Sequence, residues 1–176
     1  MAHQVRDEEL NVRYDSTSLM SRPKLLALIG AIAAEWGYLE ADLTFLYAIF
    51  IGTAINSRPP DIPHGPHPLG LQIYEVLDNT HKRIELLLAS NDQLKKELKE
   101  TLVPEIIRAA KRRNTILHAV WGVSDVYPNA MLCIPSFKKW LVYEESDFLE
   151  AIELIISTSR TIRKFQIDVR QFLDGK

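Results

Sequence analysis

The strongest constraint in the sequence is a stretch near the N-terminus where large apolar side chains recur at alternating steps of four and three residues. Between Ser21 and Ile51 these side chains are Leu25, Ile29, Ile32, Trp36, Leu39, Leu43, Leu46 and Phe50. This spacing gathers them along one side of an α-helix, whereas a strand would need an apolar residue at every second position. The pattern predicts a long helix that packs in a left-handed bundle.

The C-terminal part of the chain carries a second repeat of the same kind. It begins near Ser146 and runs through Phe148, Ile152, Ile155, Ser159, Ile162, Gln166, Val169 and Leu173. At its start, Asp147 and Glu150 have the spacing of a capping box, in which two side chains bond to the free N–H groups of a helix start. A long final helix is therefore predicted.

The middle of the chain alternates between helical patterns and breaks. Five prolines lie within residues 53–68, which bars a helix there and predicts an extended loop. Further helices are predicted at about 69–89, at about 92–102 after the capping sequence Ser90-Asn91-Asp92, and from Pro104 to about Val120.

The spacing of apolar residues changes at residues 120–143, where short apolar runs flank the turn sequence Tyr127-Pro128-Asn129. This arrangement predicts a small β-hairpin or three short strands. Together the patterns predict an all-α fold, a four-to-five-helix up-down bundle with a small hairpin inserted before the last helix. Residues 1–20 would form an N-terminal arm, and residues 21–176 would form one bundle domain.

Composition limits the classes of function that the chain can serve. It has 176 residues, a formal charge of −2 and one cysteine, Cys133, so it cannot form an internal disulfide or a thiolate metal cluster. Glu35, Glu40 and Asp42 interrupt the most apolar helix, which argues against a membrane span. We expect a cytoplasmic protein without membrane association, and any contact with nucleic acid must use a local basic patch.

One such patch exists, and it ends in a histidine. Between Glu105 and Asp125 there is no carboxylate, while Arg108, Lys111, Arg112 and Arg113 precede His118. An imidazole can accept or donate a proton at an RNA hydroxyl near neutral pH. A guanidinium supplies planar paired donors to a phosphoryl group that gains charge. A solvated helix face is the plain alternative.

The spacing of Arg113 and His118 makes a geometric demand. Five residues correspond to about 140° around an α-helix, so the two side chains do not converge on a straight helix. They can meet at one phosphate only where the helix end is distorted or where two subunits line one cleft. Asn114 lies one turn before His118 on the same face and could orient the ring.

The run Arg113-Asn114-Thr115-Ile116-Leu117-His118 resembles the Arg-x4-6-His motif of HEPN-domain ribonucleases, which often carry a polar residue directly after the arginine. The long apolar first helix is also similar. The resemblance implies metal-independent RNA cleavage that leaves a cyclic phosphate, catalysed by a homodimer without a cofactor. It assigns Arg113, His118 and Asn114 to catalysis. The local positive charge of Arg108, Lys111 and Arg112 predicts that they bind RNA. Such proteins act as toxins with an antitoxin partner, or in phage defence.

Two alternatives to the nuclease remain open from the sequence. One is a catalytically silent HEPN-like bundle that binds RNA or a protein through the same basic helix end, and the other is a structural bundle in which His118 is a core residue. Glu35 is the candidate partner of Arg113 or Arg112, and either pairing would serve structure or orientation. The three tryptophans are expected to pack in the core or the hairpin.

Other histidine groups carry less weight. Asp61, His64 and His67 have a spacing that could seat a metal ion, but a fourth ligand is lacking. Asp78 and His81 form a single carboxylate–histidine pair where a di-metal bundle needs two. Arg58 and His64 repeat the arginine–histidine pattern within the proline-rich loop. No metal site is predicted.

Overall fold

The computed structural model of the chain describes residues 2–5, 10–51, 88, 90–134 and 140–175. Its elements are β1 (His3–Val5), α1 (Ser16–Leu19), α2 (Pro23–Ile51), α3 (Asp92–Glu97), a π-helical turn (Leu98–Leu102), α4 (Val103–Leu117), β2 (Trp121–Gly122), β3 (Met131–Cys133), β4 (Trp140–Tyr143) and α5 (Glu145–Asp174). The predicted loop at 53–68 and the predicted helix at 69–89 lie outside the described residues, apart from residue 88.

The fold combines helices with a four-stranded antiparallel sheet in the order β1-β4-β3-β2. The prediction of an all-α bundle was therefore wrong. The error arose at the N-terminus, where His3–Val5 pairs with Trp140–Val142 at the edge of the sheet. These three residues are exposed or half-buried and show no apolar alternation. Residues 3–5 of the N-terminal arm thus belong to the sheet, through a pairing with residues far away in sequence.

Both faces of this sheet are covered. On one face Leu132, Trp140 and Val142 form a buried cluster with Leu10 and Ala130. On the other face the rings of Trp121, Tyr143 and Phe148 pack together with centroids 5.1–5.6 Å apart. Gly122 is required beneath the N-terminal segment, because a Cβ there would lie 2.5 Å from Val12 Cγ1.

The long helices follow the sequence pattern closely. α2 and α5 confirm the two predicted repeats, and Asn91 caps α3 by accepting a hydrogen bond from the Leu94 N–H at 3.0 Å. The predicted capping box of α5 was wrong in its members, because Asp147 accepts a hydrogen bond from the N–H of Glu144 at 2.9 Å. In such a box, Asp147 is therefore the residue whose side chain reaches back to the N–H before the helix.

Pro104 stands at the start of a helix, as predicted, and the helical path continues through it. A π-helical turn ends at Leu102, and α4 begins at Val103 with Pro104 in its first turn. Because proline lacks an N–H and its ring crowds the carbonyl four residues earlier, the preceding turn must widen. A π-helical turn provides this adjustment without ending the helix.

The chain divides into two compact units, Met1–Leu39 with Ile106–Thr158, and Glu40–Glu105 with Ser159–Lys176. The first unit contains the whole sheet. In the second unit, Asp42 is buried to 8% exposure and its carboxylate accepts from Arg163 Nε at 2.9 and 3.0 Å. Gln166 also donates to the Asp42 carbonyl at 2.6 Å. One of the three carboxylates that interrupt the apolar helix α2 is thus paired.

Cys133, the single cysteine, lies in the sheet. The Cys133 side chain is fully buried in β3, and burial raises the pKa of its thiol to about 11. It therefore forms almost no thiolate near neutral pH and makes a poor nucleophile.

Among the described residues, none of the helices combines the length and the apolar character that crossing a bilayer demands.

Candidate active site

The candidate site lies in the first unit, where helix α4 ends and the chain turns toward β2. The last helical residue is Leu117, and the N–H of His118 still bonds to the Asn114 carbonyl at 3.1 Å. The next N–H, from Ala119, bonds at 3.4 Å to Ile116. The Trp121 indole also donates to the Ile116 carbonyl at 3.0 Å. Trp121 therefore adds a second and shorter hydrogen bond to a carbonyl at the helix end.

Arg113, Asn114 and His118 come together at this helix end. The Nη1 atom of Arg113 donates to Oδ1 of Asn114 at 2.8 Å and lies 3.4 Å from Nε2 of His118. Asn114 and His118 are exposed, and Arg113 is half-buried. We call these three residues the Arg–Asn–His cluster. Asn114 and His118 are open to solvent, so a ligand can reach them.

The cluster forms within one chain. Arg113 lies inside the helix and His118 one residue beyond its end, where the backbone is leaving the helical path. The long arginine side chain covers the remaining separation of about 140°. A second subunit is thus not needed to bring the two groups together.

The contact between Arg113 and His118 involves one nitrogen of the imidazole ring, Nε2. A guanidinium can only donate hydrogen bonds, so Nε2 of His118 must act as the acceptor. This hydrogen bond is available only to the tautomer that carries its proton on Nδ1. Nε2 has a single lone pair, so it can take a proton from a substrate hydroxyl once the substrate displaces the contact with Arg113.

The guanidinium of Arg113 packs over the ring of a tryptophan. Its guanidinium carbon lies 5.5 Å from the centroid of the Trp36 ring, on α2. Trp36 is buried to 4% exposure. The Nε atom of Arg113 is also buried, and it donates to no acceptor among the described residues. The guanidinium therefore rests on an aromatic face with only part of its edge open to solvent.

Arg112 points away from the cluster. Its guanidinium lies 5.5 Å from the Tyr143 ring centroid and donates to the Asp147 carbonyl at 3.1 Å. Its Nη2 atom is 3.9 Å from the Asp147 carboxylate, with side-chain exposures of 24% for Arg112 and 4% for Asp147. This side chain links α4 to the start of α5. It is held inside the protein, where it cannot bind RNA as freely as a surface cation.

Arg108 and Lys111 are exposed on α4. Within the described part of the chain, neither side chain forms an ion pair. Because a step of seven residues returns to nearly the same side of a helix, Lys111 lies on the side of His118, and Arg108 lies one turn before Lys111. Both cations are thus free to bind an anion near the cluster.

Glu35 does not join the site. It is half-buried on α2, and over the residues that the structure covers no hydrogen bond or ion pair joins it to Arg112 or Arg113. The neighbouring Trp36 makes the contact instead. Sequence reasoning placed Trp36 in the core, which is correct for its burial, but missed its contact with Arg113. Its position on the apolar seam, facing a basic helix, was the available signal.

The remaining sequence candidates cannot be placed. Asp61, His64, His67, Asp78, His81 and Arg58 all lie outside the described residues. In the ranges that are described, no group of three or more histidine, cysteine, aspartate and glutamate side chains could hold a metal ion.

Comparison with known proteins gives no further guide to this site. No protein-family model, curated protein or solved structure matches the chain. The function must therefore be argued from the geometry of the cluster.

Proposed function

We propose that the chain is a metal-independent endoribonuclease of the HEPN type, with the Arg–Asn–His cluster as its active site. The observation that supports this most is the 3.4 Å separation between Arg113 Nη1 and His118 Nε2. It places a permanent cation and a proton acceptor where one phosphodiester can touch both. An exposed imidazole alone would support the proposal less, because no neighbouring cation would stabilise the charge of the phosphoryl group.

The proposed reaction is an attack by the RNA 2′-hydroxyl on the adjacent phosphorus. His118 Nε2 accepts the hydroxyl proton as the new O–P bond forms, and the bond from phosphorus to the 5′-oxygen breaks. The leaving oxygen takes a proton from water, and a 2′,3′-cyclic phosphate remains. Arg113 stabilises the negative charge that grows on the phosphoryl oxygens, because its donors are already oriented. Asn114 holds the guanidinium and can orient the phosphate.

The direct test uses RNA in the presence of a chelator. We expect the purified protein in excess EDTA to cleave single-stranded RNA and leave cyclic-phosphate ends. A matched substrate with a 2′-deoxy sugar at the cleaved position should stay intact there, because the nucleophile is missing. Gel analysis of labelled RNA with end-group mapping gives both results.

Other outcomes separate the alternatives. RNA binding without any cleaved ends would contradict the nuclease and favour the silent RNA-binding protein. Cleavage only after Mg²⁺ is restored would contradict the metal-independent mechanism. Absence of both binding and cleavage would remove RNA from the proposal altogether.

Arg108 and Lys111 extend the proposed RNA site along α4. Each phosphate contact to single-stranded RNA contributes a slope of about 0.7 in log Kd against log salt concentration. We expect Arg108→Gln and Lys111→Gln each to lower this slope by about that amount. Fluorescence anisotropy with a non-cleavable 2′-deoxy oligonucleotide measures it. Arg170→Gln is the matched control, because Arg170 is exposed in the second unit. Equal slope changes in all three variants would contradict a local RNA track.

The proposal extends to the setting in which the protein works. We place it in the cytoplasm, as a toxin or phage-defence effector with RNA as its substrate and an antitoxin protein as a partner. A homodimer is also part of the proposal. Since each chain assembles its own cluster, two subunits would serve to form a shared RNA groove rather than to complete a site.

A further inference from the structure

We infer that Trp36 is a positioning residue for the proposed nuclease, holding the Arg113 guanidinium in the orientation that meets the phosphate. This inference rests on the proposed function and deepens it. The residue lies on α2, far in sequence from the motif, and belongs to no arginine–histidine pattern. It would act through Arg113, without touching RNA.

Two contacts and the burial of Nε restrict the guanidinium. The Trp36 ring supports its face at 5.5 Å, and Asn114 fixes Nη1 within its plane at 2.8 Å. The buried Nε lies on the protein side. Together these leave the edge near His118 as the part that can reach a substrate. A planar donor group works best when its orientation is set before the phosphate arrives.

An aromatic support has an advantage over a carboxylate at this position. A carboxylate would bind the guanidinium through two hydrogen bonds and compete with the phosphate for the same donors. An aromatic face attracts the cation through its quadrupole and occupies no N–H group. Within the described ranges no carboxylate pairs with Arg113, although Glu35 lies next to Trp36 in sequence. The arginine is thus held while its charge stays available.

The test compares two substitutions at Trp36. Trp36→Leu keeps an apolar core residue but removes the aromatic face, and we expect kcat to fall about 10-fold with KM changed less than about 2-fold. Trp36→Phe keeps an aromatic face and should recover most of that loss. Rates are scaled to the folded fraction measured by circular dichroism, because a smaller side chain leaves a cavity.

A matched control separates positioning from general destabilisation. Trp140 is buried to 5% exposure and stacks on Tyr14 with ring centroids 5.6 Å apart. Trp140→Leu should destabilise the protein while leaving kcat of the folded fraction unchanged. In addition, Trp36→Leu should cause no further loss in an Arg113→Gln background, because the two residues act as one unit. Equal kcat for Trp36→Leu and Trp140→Leu would overturn the inference, as would additive losses in the double variant.

A measurement without cleavage keeps the inference separate from the proposed function. Protons of the Arg113 side chain that lie over the indole should show an upfield ring-current shift in NMR spectra, with Arg113→Lys used for assignment. The shift should disappear in Trp36→Leu and persist in Trp140→Leu. If the wild-type protein cleaves no RNA, the nuclease fails while this contact is still tested. If the shift is absent from the wild-type spectrum, the positioning role is contradicted.

Discussion

His118→Ala should lower the rate of RNA cleavage at saturating substrate by about 10²–10⁴-fold, the usual contribution of one acid–base group. The reason is that Nε2, which faces Arg113 at 3.4 Å, accepts the proton of the attacking hydroxyl. The ring is exposed, so its removal should change the free energy of unfolding by less than about 0.5 kcal/mol. Arg113 keeps its contacts to Asn114 and Trp36 in this variant. Single-turnover kinetics and thermal unfolding measure the two effects.

Two controls make this result specific. His3 is another exposed histidine of the first unit, on the edge strand β1, and His3→Ala should keep the wild-type rate. Free imidazole added to His118→Ala should restore part of the activity, because a small molecule can replace the missing base. Unchanged cleavage in His118→Ala would remove the residue from the mechanism. A comparable loss in His3→Ala would show that the assay reports something other than this site.

Most of the described helices could be predicted because the spacing of apolar residues along the sequence indicates them. The four–three repeats located α2 and α5 to within two residues at their starts, and the polar sequence before α3 located its cap. Local spacing also placed Pro104 at the start of a helix. It could not show the π-helical turn before it, since that depends on how the preceding turn relieves a steric conflict.

The sheet was harder to predict because its register joins distant segments. β1 has three residues, and it pairs with a strand more than a hundred residues later in the chain. Nothing in the polar N-terminal sequence specifies that partner. Short strands are stabilised by cross-strand contacts rather than by their own propensity. Short strands were predicted within residues 120–143, but the fourth strand of the sheet, β1, was not.

The site shows the same division between local and non-local information. Charge and spacing selected Arg113, Asn114 and His118, which the structure brings together. Glu35 was the candidate partner of Arg113 or Arg112, whereas the contact to Arg113 comes from Trp36. Adjacent helix positions differ by about 100° in direction. Choosing between them requires the rotation of α2 against α4, which a single sequence does not supply.

Arg113→Gln should reduce kcat by about 10²–10³-fold, as expected when a preorganised donor to the developing phosphoryl charge is lost. Arg113→Lys should fall between this variant and the wild type. Lysine keeps the positive charge and so binds RNA nearly as well, but its ammonium lacks the planar pair of donors. Steady-state kinetics should therefore show a loss in kcat with little change in KM for Arg113→Lys.

The adjacent arginine provides the decisive comparison, because Arg112 and Arg113 carry the same charge at neighbouring positions. Arg112 is committed to Tyr143 and Asp147, so Arg112→Gln should lower the free energy of unfolding by about 1–3 kcal/mol. The folded fraction of that variant should retain the wild-type kcat. If Arg112→Gln lowers kcat as strongly as Arg113→Gln, catalysis depends on the total charge of the helix rather than on the geometry of the cluster. A large loss confined to Arg113 would instead require the oriented guanidinium.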